Sequence, residues 1–567
     1  MPPAFTSLAR LPAIALGDRR RAAWGVLLAL HLTAAGILLW SEGDTIARLA
    51  FVLAWGLWNF IILLILRRPI VAAAASLLLL IVLVLLSQLK YQALFQTVSF
   101  VDVMIIDGNT IRFLFAIYPS LTQIVAVVAP VVALLLVGFW WLDTLRLPRR
   151  ISLAGCATCI AGLGALGTWQ PLEPSEAFYS GNYLSTFARS GVDAVIELAT
   201  HGYMESDPTV SDRLKAMDEE TCKPARKPPH IIMVHDESSF DIRMLAGIKV
   251  PDGYGAHFRS YDGKERRLLV EGSGGPSWYT EFNVFAGLSS RSFGRFAYFV
   301  TRIAAGRVKR GLPNSLRHCG YRTYSLYPWL GAFMNARSFQ ASVGVQRFRD
   351  ITDLGTRDLE PDSFFYNSAS QIIARERGNG PLFIFTYLAA NHFPWTFRYR
   401  PDLLPDWRDP GNAPHIDEYL RRQVMSFGDY ANFVASLKRD FPGEQFLIVR
   451  FGDHQPDFAA NFVDPSLSEA EIAQRLINFD PRYFTTYYAI DAVNFKPADL
   501  SSAVDLLDAP YLPLVVQEAA GLPLDPSFAE QKRILQRCKG LFYACSGGAE
   551  ARRFNRLLID AGLIKRL

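Results

Sequence analysis

The sequence predicts two structural parts, an N-terminal domain of five transmembrane helices and an α/β domain that follows it. The 567 residues are 50% hydrophobic, and the apolar residues are concentrated in the first third of the chain. Five runs there are long enough to cross a bilayer: 23–41, 47–66, 70–89, 120–142 and 151–169. After residue 229, apolar strand-like runs alternate with helix-like stretches. The strand-like runs are 230–234, 267–270, 321–326, 382–388, 445–451 and about 485–489, and the helix-like stretches include 281–288, 363–376, 415–438 and 505–520. This alternation is typical of a mostly parallel sheet covered on both faces.

The positions of the arginines predict how the five runs are oriented. Arginines precede the first run at 19–21, separate the second and third at 67–68, and separate the fourth and fifth at 146, 149 and 150. Short cytoplasmic segments are enriched in Arg and Lys. We therefore expect a multi-pass protein of the cytoplasmic (inner) membrane, with a cytoplasmic N-terminus and a periplasmic or extracellular catalytic domain. The alternative is that some runs are buried core helices.

The remaining boundaries follow from composition. The predicted transmembrane domain covers 1–169 and includes a polar, aromatic segment at 90–119, which we interpret as an interfacial piece or, alternatively, a surface connector. Residues 170–229 contain six prolines and are predicted to be a linker with one helix near 191–200. Residues 230–530 are predicted to form the catalytic domain, and residues 531–567 a basic helical tail.

Charge and cysteine content narrow the function classes. The net charge is only +5, and much of the excess lies beside the apolar runs, so we predict no nucleic-acid partner.

Two of the six cysteines lie in the fifth apolar run. The other four, expected in an oxidising exterior, allow three pairings. The pair Cys538–Cys545 is favoured because its loop is short.

The stretch from Glu271 to Leu288 predicts a nucleophile at the start of a helix. Glycines at 272, 274 and 275 and then Pro276 lead to Ser277, after which 279–288 is predicted to be helical. Ser277 is thus predicted to be the N-cap, beside unpaired N–H groups and the positive end of the helix dipole, which favour phosphate. A bound metal would lower the pKa of its hydroxyl. The alternative is an ordinary capping serine.

Candidate metal ligands follow two predicted strands. Glu237 follows the strand-like run 230–234, and Asp453 and His454 follow the run 445–451 after a glycine. Sites in such sheets form at the carboxyl ends of the strands, so we expect these side chains to meet Ser277 around one Mn²⁺ or Zn²⁺ ion. The chemistry would be attack of Ser277 on phosphorus, giving a phospho-serine resolved by an acceptor hydroxyl or by water. His235 is expected to support the site.

A set of short motifs, in order behind five apolar runs, resembles the lipoteichoic acid synthase and periplasmic glucan phosphoglycerol transferase family. The motifs are Glu237, Gly274-Gly-Pro-Ser277-Trp-Tyr-Thr-Glu281-Phe, Asn391-His392-Phe-Pro394 and Phe451-Gly-Asp-His454. The resemblance covers the five runs and about 229–520. It implies an α/β sulfatase-like catalytic domain of the alkaline phosphatase superfamily. It also implies transfer of glycerol phosphate from phosphatidylglycerol in the membrane to an acceptor, here expected to be a glycan, and a single divalent cation, commonly Mn²⁺, with Zn²⁺ and Mg²⁺ as alternatives.

The resemblance also implies roles for individual residues. The implied metal ligands are Glu237, Ser277, Asp453 and His454, with Ser277 as the nucleophile where the lipoteichoic acid enzymes have Thr. His392 and the adjacent Asn391 would contact the substrate phosphate or glycerol. Arg337 would stand in for a substrate-binding Arg, offset by one residue. Trp329 would stack on an acceptor glycan or simply pack. The segment from 327 to 337 otherwise matches the family poorly, which leaves the headgroup open.

Two other functions remain open at the level of sequence. Residues 392–401 are also similar to phosphoethanolamine transferases, although Asp453-His454 is followed by Gln-Pro rather than their Gly-Glu. Transfer from phosphatidylethanolamine is therefore the alternative. A metal-dependent phosphodiesterase or sulfatase, with water as acceptor, is the third reading. A non-catalytic scaffold is disfavoured because the Ser, Glu, Asp and His are all retained.

Overall fold

The computed structural model describes residues 16–94, 96–106, 108, 111, 115, 119–172, 180–214, 222–357 and 359–565. The chain divides into two compact units, one of residues 1–106 and 114–196 and the other of residues 107–113 and 197–567. The first unit is helical. Its α-helices are α1 Leu16–Ser41, α2 Thr45–Leu66, α3 Pro69–Leu94, α4 Phe100–Ile105, α5 Pro119–Leu142, α6 Arg149–Trp169 and α7 Tyr183–Thr200, the last extending past its boundary.

Five of these helices are long and apolar enough to cross a membrane, counting only the described residues. They are α1, α2, α3, α5 and α6, so the prediction of five apolar helices of membrane-spanning length is confirmed. Helix α6 lies so close to α2 that a Cβ at Gly155 would be 2.5 Å from the Phe60 ring. Small residues permit this kind of close helix packing in membranes. Many large apolar side chains on the helices are exposed, including Leu134 and Trp141, as expected for surfaces that face lipid.

Part of the predicted interfacial segment, 90–119, lies outside the described residues. Its described portion contains α4, whose capping box joins Ser99 and Asp102. Lys90 Nζ lies 2.9 Å from Asp102 Oδ2, so these two charged side chains form an ion pair. Helix α7 lies within the segment predicted to be a linker and begins earlier than the helix predicted near 191–200.

The second unit is built around one eight-stranded sheet of order β4-β3-β5-β1-β6-β7-β2-β8. The strands are β1 His230–Asp236, β2 Arg266–Leu269, β3 Arg322–Leu326, β4 Arg347–Arg349, β5 Leu382–Tyr387, β6 Phe446–Gly452, β7 Thr485–Val493 and β8 Leu506–Asp508. Strands β1, β3, β4, β5 and β6 are parallel, whereas β7 is antiparallel to both β6 and β2. Six strands match predicted runs. The two that sequence reasoning missed, β4 and β8, have only three residues each.

Helices cover the sheet. They are α8 Ser277–Ala286, α9 Val300–Ala304, α10 Leu312–His318, α11 Ala336–Ser342, α12 Ile351–Leu354, α13 Asp362–Glu376, α14 Pro414–Asp440, α15 Ala460–Val463, α16 Glu469–Ile477, α17 Leu512–Ala519, α18 Pro526–Cys538 and α19 Ala549–Asp560. The helix predicted at 505–520 is wrong at its start, because 506–508 pair with β2 as strand β8.

The core explains why the central strands read as continuous apolar runs. Every residue of β1, β5 and β6 is buried, as expected for strands covered on both faces. On one face Ile232, Ile384 and Ile448 belong to a cluster that includes Phe365 of α13 and Phe433 of α14. The carboxyl ends of β1, β5 and β6 consequently lie at one edge of a rigid, doubly covered sheet.

Two disulfides lie in the second unit, Cys222–Cys319 and Cys538–Cys545. Cys538–Cys545 is the pairing that the short loop in the sequence favoured. Cys156 and Cys159 are free and buried in α6.

The Cys222–Cys319 bond closes 97 residues of sequence, and Cys538–Cys545 closes only 7. In the chain-entropy account, a longer closed loop removes more entropy from the unfolded chain. Replacing both Cys222 and Cys319 by Ser is therefore expected to lower the free energy of unfolding by about 2–5 kcal/mol. The matched Cys538/Cys545 double variant should lose less. Thermal unfolding of the full-length protein in detergent, followed by near-ultraviolet circular dichroism, would rank the two, and the reverse order would contradict the expectation.

Candidate active site

The sheet itself brings the predicted metal ligands together. Strands β1 and β6 are parallel neighbours, with Asp236 paired to Gly452 at their carboxyl ends. The next residues are Glu237 on one strand and Asp453 on the other. Both side chains are buried, with 2% and 0% of their surface exposed. The backbone N–H of Ser238 donates to Asp453 Oδ1 at 2.7 Å, which ties the loop after β1 to the loop after β6.

Ser277 and His454 complete the cluster. Ser277 Oγ lies 3.3 Å from Glu237 Oε2 and 3.2 Å from His454 Nε2. His454 Nε2 is also 3.5 Å from Glu237 Oε1 and 3.5 Å from Asp453 Oδ2. His454 Nε2 thus lies within 3.5 Å of each of the other three side chains predicted to share one ion.

Hydrogen bonds hold the nucleophile loop against the loop after β6. Gly274 adopts a φ of +71°, which favours glycine, and its N–H donates to the Gln455 carbonyl oxygen at 3.0 Å. Thr280 Oγ1, in the first turn of α8, donates to the Asp453 carbonyl oxygen at 2.6 Å. Ser277 is therefore fixed on a rigid frame beside the carboxylates.

One detail of the nucleophile prediction is wrong. The N-cap of α8 is Pro276, without a side-chain cap bond, and Ser277 is the first helical residue. The serine N–H bonds to the Gly275 carbonyl oxygen at 2.8 Å. Because its hydroxyl does not cap the helix, it is directed to Glu237 and His454 instead. The N–H groups of Ser277 and Tyr279 are bonded to the Gly275 and Pro276 carbonyl oxygens, so the attraction of this ten-residue helix for an anion rests on the positive end of its dipole.

The electrostatics of the site favour ionised carboxylates beside a cationic or metal-bound partner. Burial opposes ionisation of Glu237, but the hydrogen bond from His454 and the charges of His392, His454 and His235 together lower its pKa. Burial also opposes protonation of His454, yet the charge of Asp453, with help from Glu237, raises its pKa to about 9. A strong positive charge is thus favoured at the point where these side chains meet.

The donor set fits a divalent cation. Glu237 and Asp453 form no ion pair with Arg or Lys in the part of the chain that the structure describes, although buried carboxylates ordinarily pair with a cation or bind a metal. His454 Nδ1 lies 2.8 Å from the Gln455 carbonyl oxygen, so a proton on Nδ1 leaves Nε2 as the metal-facing lone pair. Two carboxylates, an imidazole and a serine oxygen suit Mn²⁺ or Zn²⁺.

His235 lies within the same cluster. Its Nε2 is 3.0 Å from Asp453 Oδ2, and ligand atoms of His235, Glu237 and Asp453 all lie within 4.8 Å of one another. Its Nδ1 has no hydrogen-bond partner among the described residues. Its expected supporting role stays a prediction.

The four predicted substrate-binding residues lie in different surroundings. His392 follows β5, is partly exposed, and packs its ring 4.8 Å from Trp329 at an angle of 60°. Asn391 is buried and donates weakly to the Ser238 carbonyl oxygen at 3.4 Å, so it holds the loop after β1. Arg337 instead pairs with Asp350 and Asp353 at 2.8 and 2.7 Å. Its two carboxylate partners already satisfy much of its charge.

Sequence reasoning missed Tyr387, the last residue of β5. Its hydroxyl donates to Glu237 Oε2 at 2.7 Å. The strand register pairs Tyr387 with His235, and their rings stack with centroids 3.9 Å apart. The available sequence signal was its place at the end of a buried strand, where polar groups of such sheets converge. However, an aromatic residue at the end of a buried strand is ordinarily interpreted as part of the hydrophobic core.

Comparison with known proteins identifies one matching family. Residues 273–474, which include Ser277, Asp453 and His454, match the sulfatase family model. This part of the chain is a sulfatase-like domain. The predictions of a sulfatase-like domain and of five apolar helices before it are confirmed. A search of curated proteins found no match.

Several solved structures are similar to this chain. The Streptococcus pyogenes phosphoglycerol transferase GacH, in complex with sn-glycerol-1-phosphate, has 14% identity and a TM-score of 0.44 over 60% of this chain and 86% of that one. The lipoteichoic acid synthase LtaP from Listeria monocytogenes has 17% identity and a TM-score of 0.41 over 55% and 76%. The integral membrane phosphoethanolamine transferase EptA from Neisseria meningitidis has 10% identity and a TM-score of 0.41 over 85% and 96%.

Proposed function

We propose that this protein is a membrane-bound transferase that moves glycerol phosphate from phosphatidylglycerol to an extracytoplasmic glycan. The observation that carries the proposal is the position of the Ser277 hydroxyl, 3.3 Å from Glu237 and 3.2 Å from His454 at the start of a helix. A serine in this setting can form a covalent phosphate ester. The motif resemblance, from Glu237 to His454, supports glycerol phosphate as the transferred group.

In the first half-reaction, Ser277 Oγ attacks the donor phosphorus. An Oγ–P bond forms, the P–O bond to diacylglycerol breaks, and the departing oxygen takes up a proton. Glu237 accepts the serine hydrogen bond and so orients the hydroxyl, while the positive end of the α8 dipole favours the phosphate. Held by Glu237, Asp453, His454 and Ser277, a divalent cation would supply positive charge that lowers the serine pKa and offsets charge on the phosphate.

In the second half-reaction, an acceptor hydroxyl attacks the same phosphorus. The Oγ–P bond breaks, Ser277 regains a proton, and the acceptor carries the glycerol phosphate. The partly exposed pair of His392 and Trp329 supports a headgroup or glycan subsite, because an imidazole can contact phosphate and an indole ring can stack on a sugar. Arg337 remains a proposed substrate contact that would have to exchange a carboxylate partner.

The proposal includes a location in the cytoplasmic membrane, with the catalytic domain outside the cytoplasm. Five apolar helices would keep the enzyme beside its lipid donor. Two disulfides in the second unit suit an oxidising compartment. The arginines between the apolar runs also support a catalytic domain on the side of the membrane away from the cytoplasm. Residues 230–530 are proposed to be the catalytic portion, with 531–567 as its helical tail.

Phosphoethanolamine transfer is the second candidate, supported by the sequence of residues 392–401. A single experiment separates the two. The purified full-length protein is incubated with Mn²⁺ and equal amounts of phosphatidylglycerol and phosphatidylethanolamine, and the peptide containing Ser277 is analysed by mass spectrometry. We expect a glycerol phosphate adduct on Ser277. A phosphoethanolamine adduct would establish the second candidate, and no adduct, with lipid consumed, would overturn the covalent mechanism.

A further inference from the structure

Tyr387 contacts both halves of the candidate cation site. Its hydroxyl donates to Glu237 Oε2 at 2.7 Å. Its ring stacks on His235 at an interplanar angle of 20°, and His235 Nε2 lies 3.0 Å from Asp453 Oδ2. Tyr387 is only 3% exposed. One side chain of β5 therefore reaches the carboxylate that follows β1 directly and the carboxylate that follows β6 through one imidazole.

We propose that Tyr387 is a positioning residue that fixes the two carboxylates for cation binding, an inference that rests on the proposed metal-dependent function. Groups that donate to metal-ligating side chains orient them and tune their affinity, and their loss typically costs about 10–100-fold in metal binding or activity. Tyr387 supplies such a donor to Glu237. Through the stacked ring it also limits how His235 and Asp453 can rotate.

The remaining contacts of Glu237 show why the tyrosine hydroxyl matters. Oε1 accepts from Ser238 Oγ at 2.9 Å, whereas Oε2 is shared by Tyr387 and, at 3.3 Å, by Ser277. A serine hydroxyl that is to attack phosphorus cannot also remain the donor that orients this oxygen. Tyr387 is then the donor that keeps Oε2 in place during the reaction.

The ring of Tyr387 is held independently of its hydroxyl. It packs on His235 and, edge to face, on Tyr327 with centroids 5.4 Å apart. A change of Tyr387 to Phe should therefore remove the donor and leave the packing. Tyr324 is a matched control on β3: it is 2% exposed, and its hydroxyl has no hydrogen-bond partner within the described ranges.

The test measures Mn²⁺ binding to the full-length protein in detergent by isothermal titration calorimetry, without lipid. We expect Tyr387→Phe to raise the Mn²⁺ dissociation constant about 10–100-fold and Tyr324→Phe to leave it within about twofold. Thermal unfolding without metal should change little, and excess Mn²⁺ should restore adduct formation on Ser277 in Tyr387→Phe. A wild-type dissociation constant in Tyr387→Phe would overturn the proposal.

A second pair of variants covers the case in which Tyr387→Phe does not accumulate. Tyr387→Gln retains a hydrogen-bond donor, whereas Tyr387→Met, of similar length, does not. We expect Gln to bind Mn²⁺ more tightly than Met, and equal dissociation constants would overturn the role of Tyr387. Weakened Mn²⁺ binding in a protein whose wild type forms no lipid adduct would instead overturn the proposed transferase and leave the positioning role standing.

Discussion

Replacing Ser277 by Ala is expected to abolish release of diacylglycerol from phosphatidylglycerol and formation of the Ser277 adduct. The hydroxyl that lies between Glu237 and His454 is the only atom of this residue proposed to react, and alanine removes it with little change in volume. Removing a covalent nucleophile leaves only binding and electrostatic effects, so the rate should fall by roughly 10⁴-fold or more. Labelled lipid turnover by the purified membrane protein measures this loss.

Ser325 offers a matched control for that experiment. It is a fully buried serine of β3, and its hydroxyl has no hydrogen-bond partner in the described part of the chain. Ser325→Ala should retain wild-type turnover. Diacylglycerol release that persisted in Ser277→Ala at the wild-type rate would show that the phosphate is transferred without this serine.

Replacing Gly452 by Ala is expected to damage folding and cation binding together. A Cβ at this position would lie 1.7 Å from the Ser239 carbonyl oxygen and 2.8 Å from its carbon. Both neighbours are backbone atoms, so the loop after β1 or the end of β6 must move. Overpacking of this kind costs about 1–3 kcal/mol and occasionally more. Because Asp453 and His454 follow directly, and Glu237 precedes Ser239 by two residues, the shift should also separate the metal ligands.

The measurement for Gly452→Ala is the thermal midpoint with and without Mn²⁺, together with the Mn²⁺ dissociation constant. The midpoint should fall by several degrees, and the added stabilisation by Mn²⁺ should shrink. Gly443 is a matched control just before β6, since a Cβ there would meet nothing within 4 Å. Full retention of both stability and Mn²⁺ affinity in Gly452→Ala would contradict the close approach of the two loops.

The sequence was informative where strong hydrophobic patterns outweighed local detail. The five apolar runs predicted five helices long enough to span, and the buried runs of β1, β5 and β6 predicted the centre of the sheet. The three-residue strands β4 and β8 could not be predicted in this way. Residues 506–508 form β8 only because β2 lies beside them, and three residues carry too little periodicity to distinguish a strand from the start of a helix.

The cluster of candidate ligands could be anticipated because of one rule of parallel sheets. Polar residues that follow strands meet at the carboxyl edge, and this rule grouped Glu237, Asp453 and His454 before any distances were known. The rule does not say which strands are neighbours. The pairing of β1 with β6 was decided by the folded sheet, and it is this pairing that sets the two carboxylates beside each other.

The kinds of chemical group in this protein, and the order in which they occur, follow from the amino-acid order alone: apolar helices, a serine at a helix start, and acids and a histidine after strands. Three features depend on how the chain folds: Pro276 rather than Ser277 caps α8, Arg337 is held by two carboxylates, and Tyr387 contacts Glu237. The contacts of Arg337 and Tyr387, and those of the Ser277 hydroxyl with Glu237 and His454, join residues that are separated in sequence. Local propensity and spacing carry no information about such distances, whereas strand register and loop packing fix them.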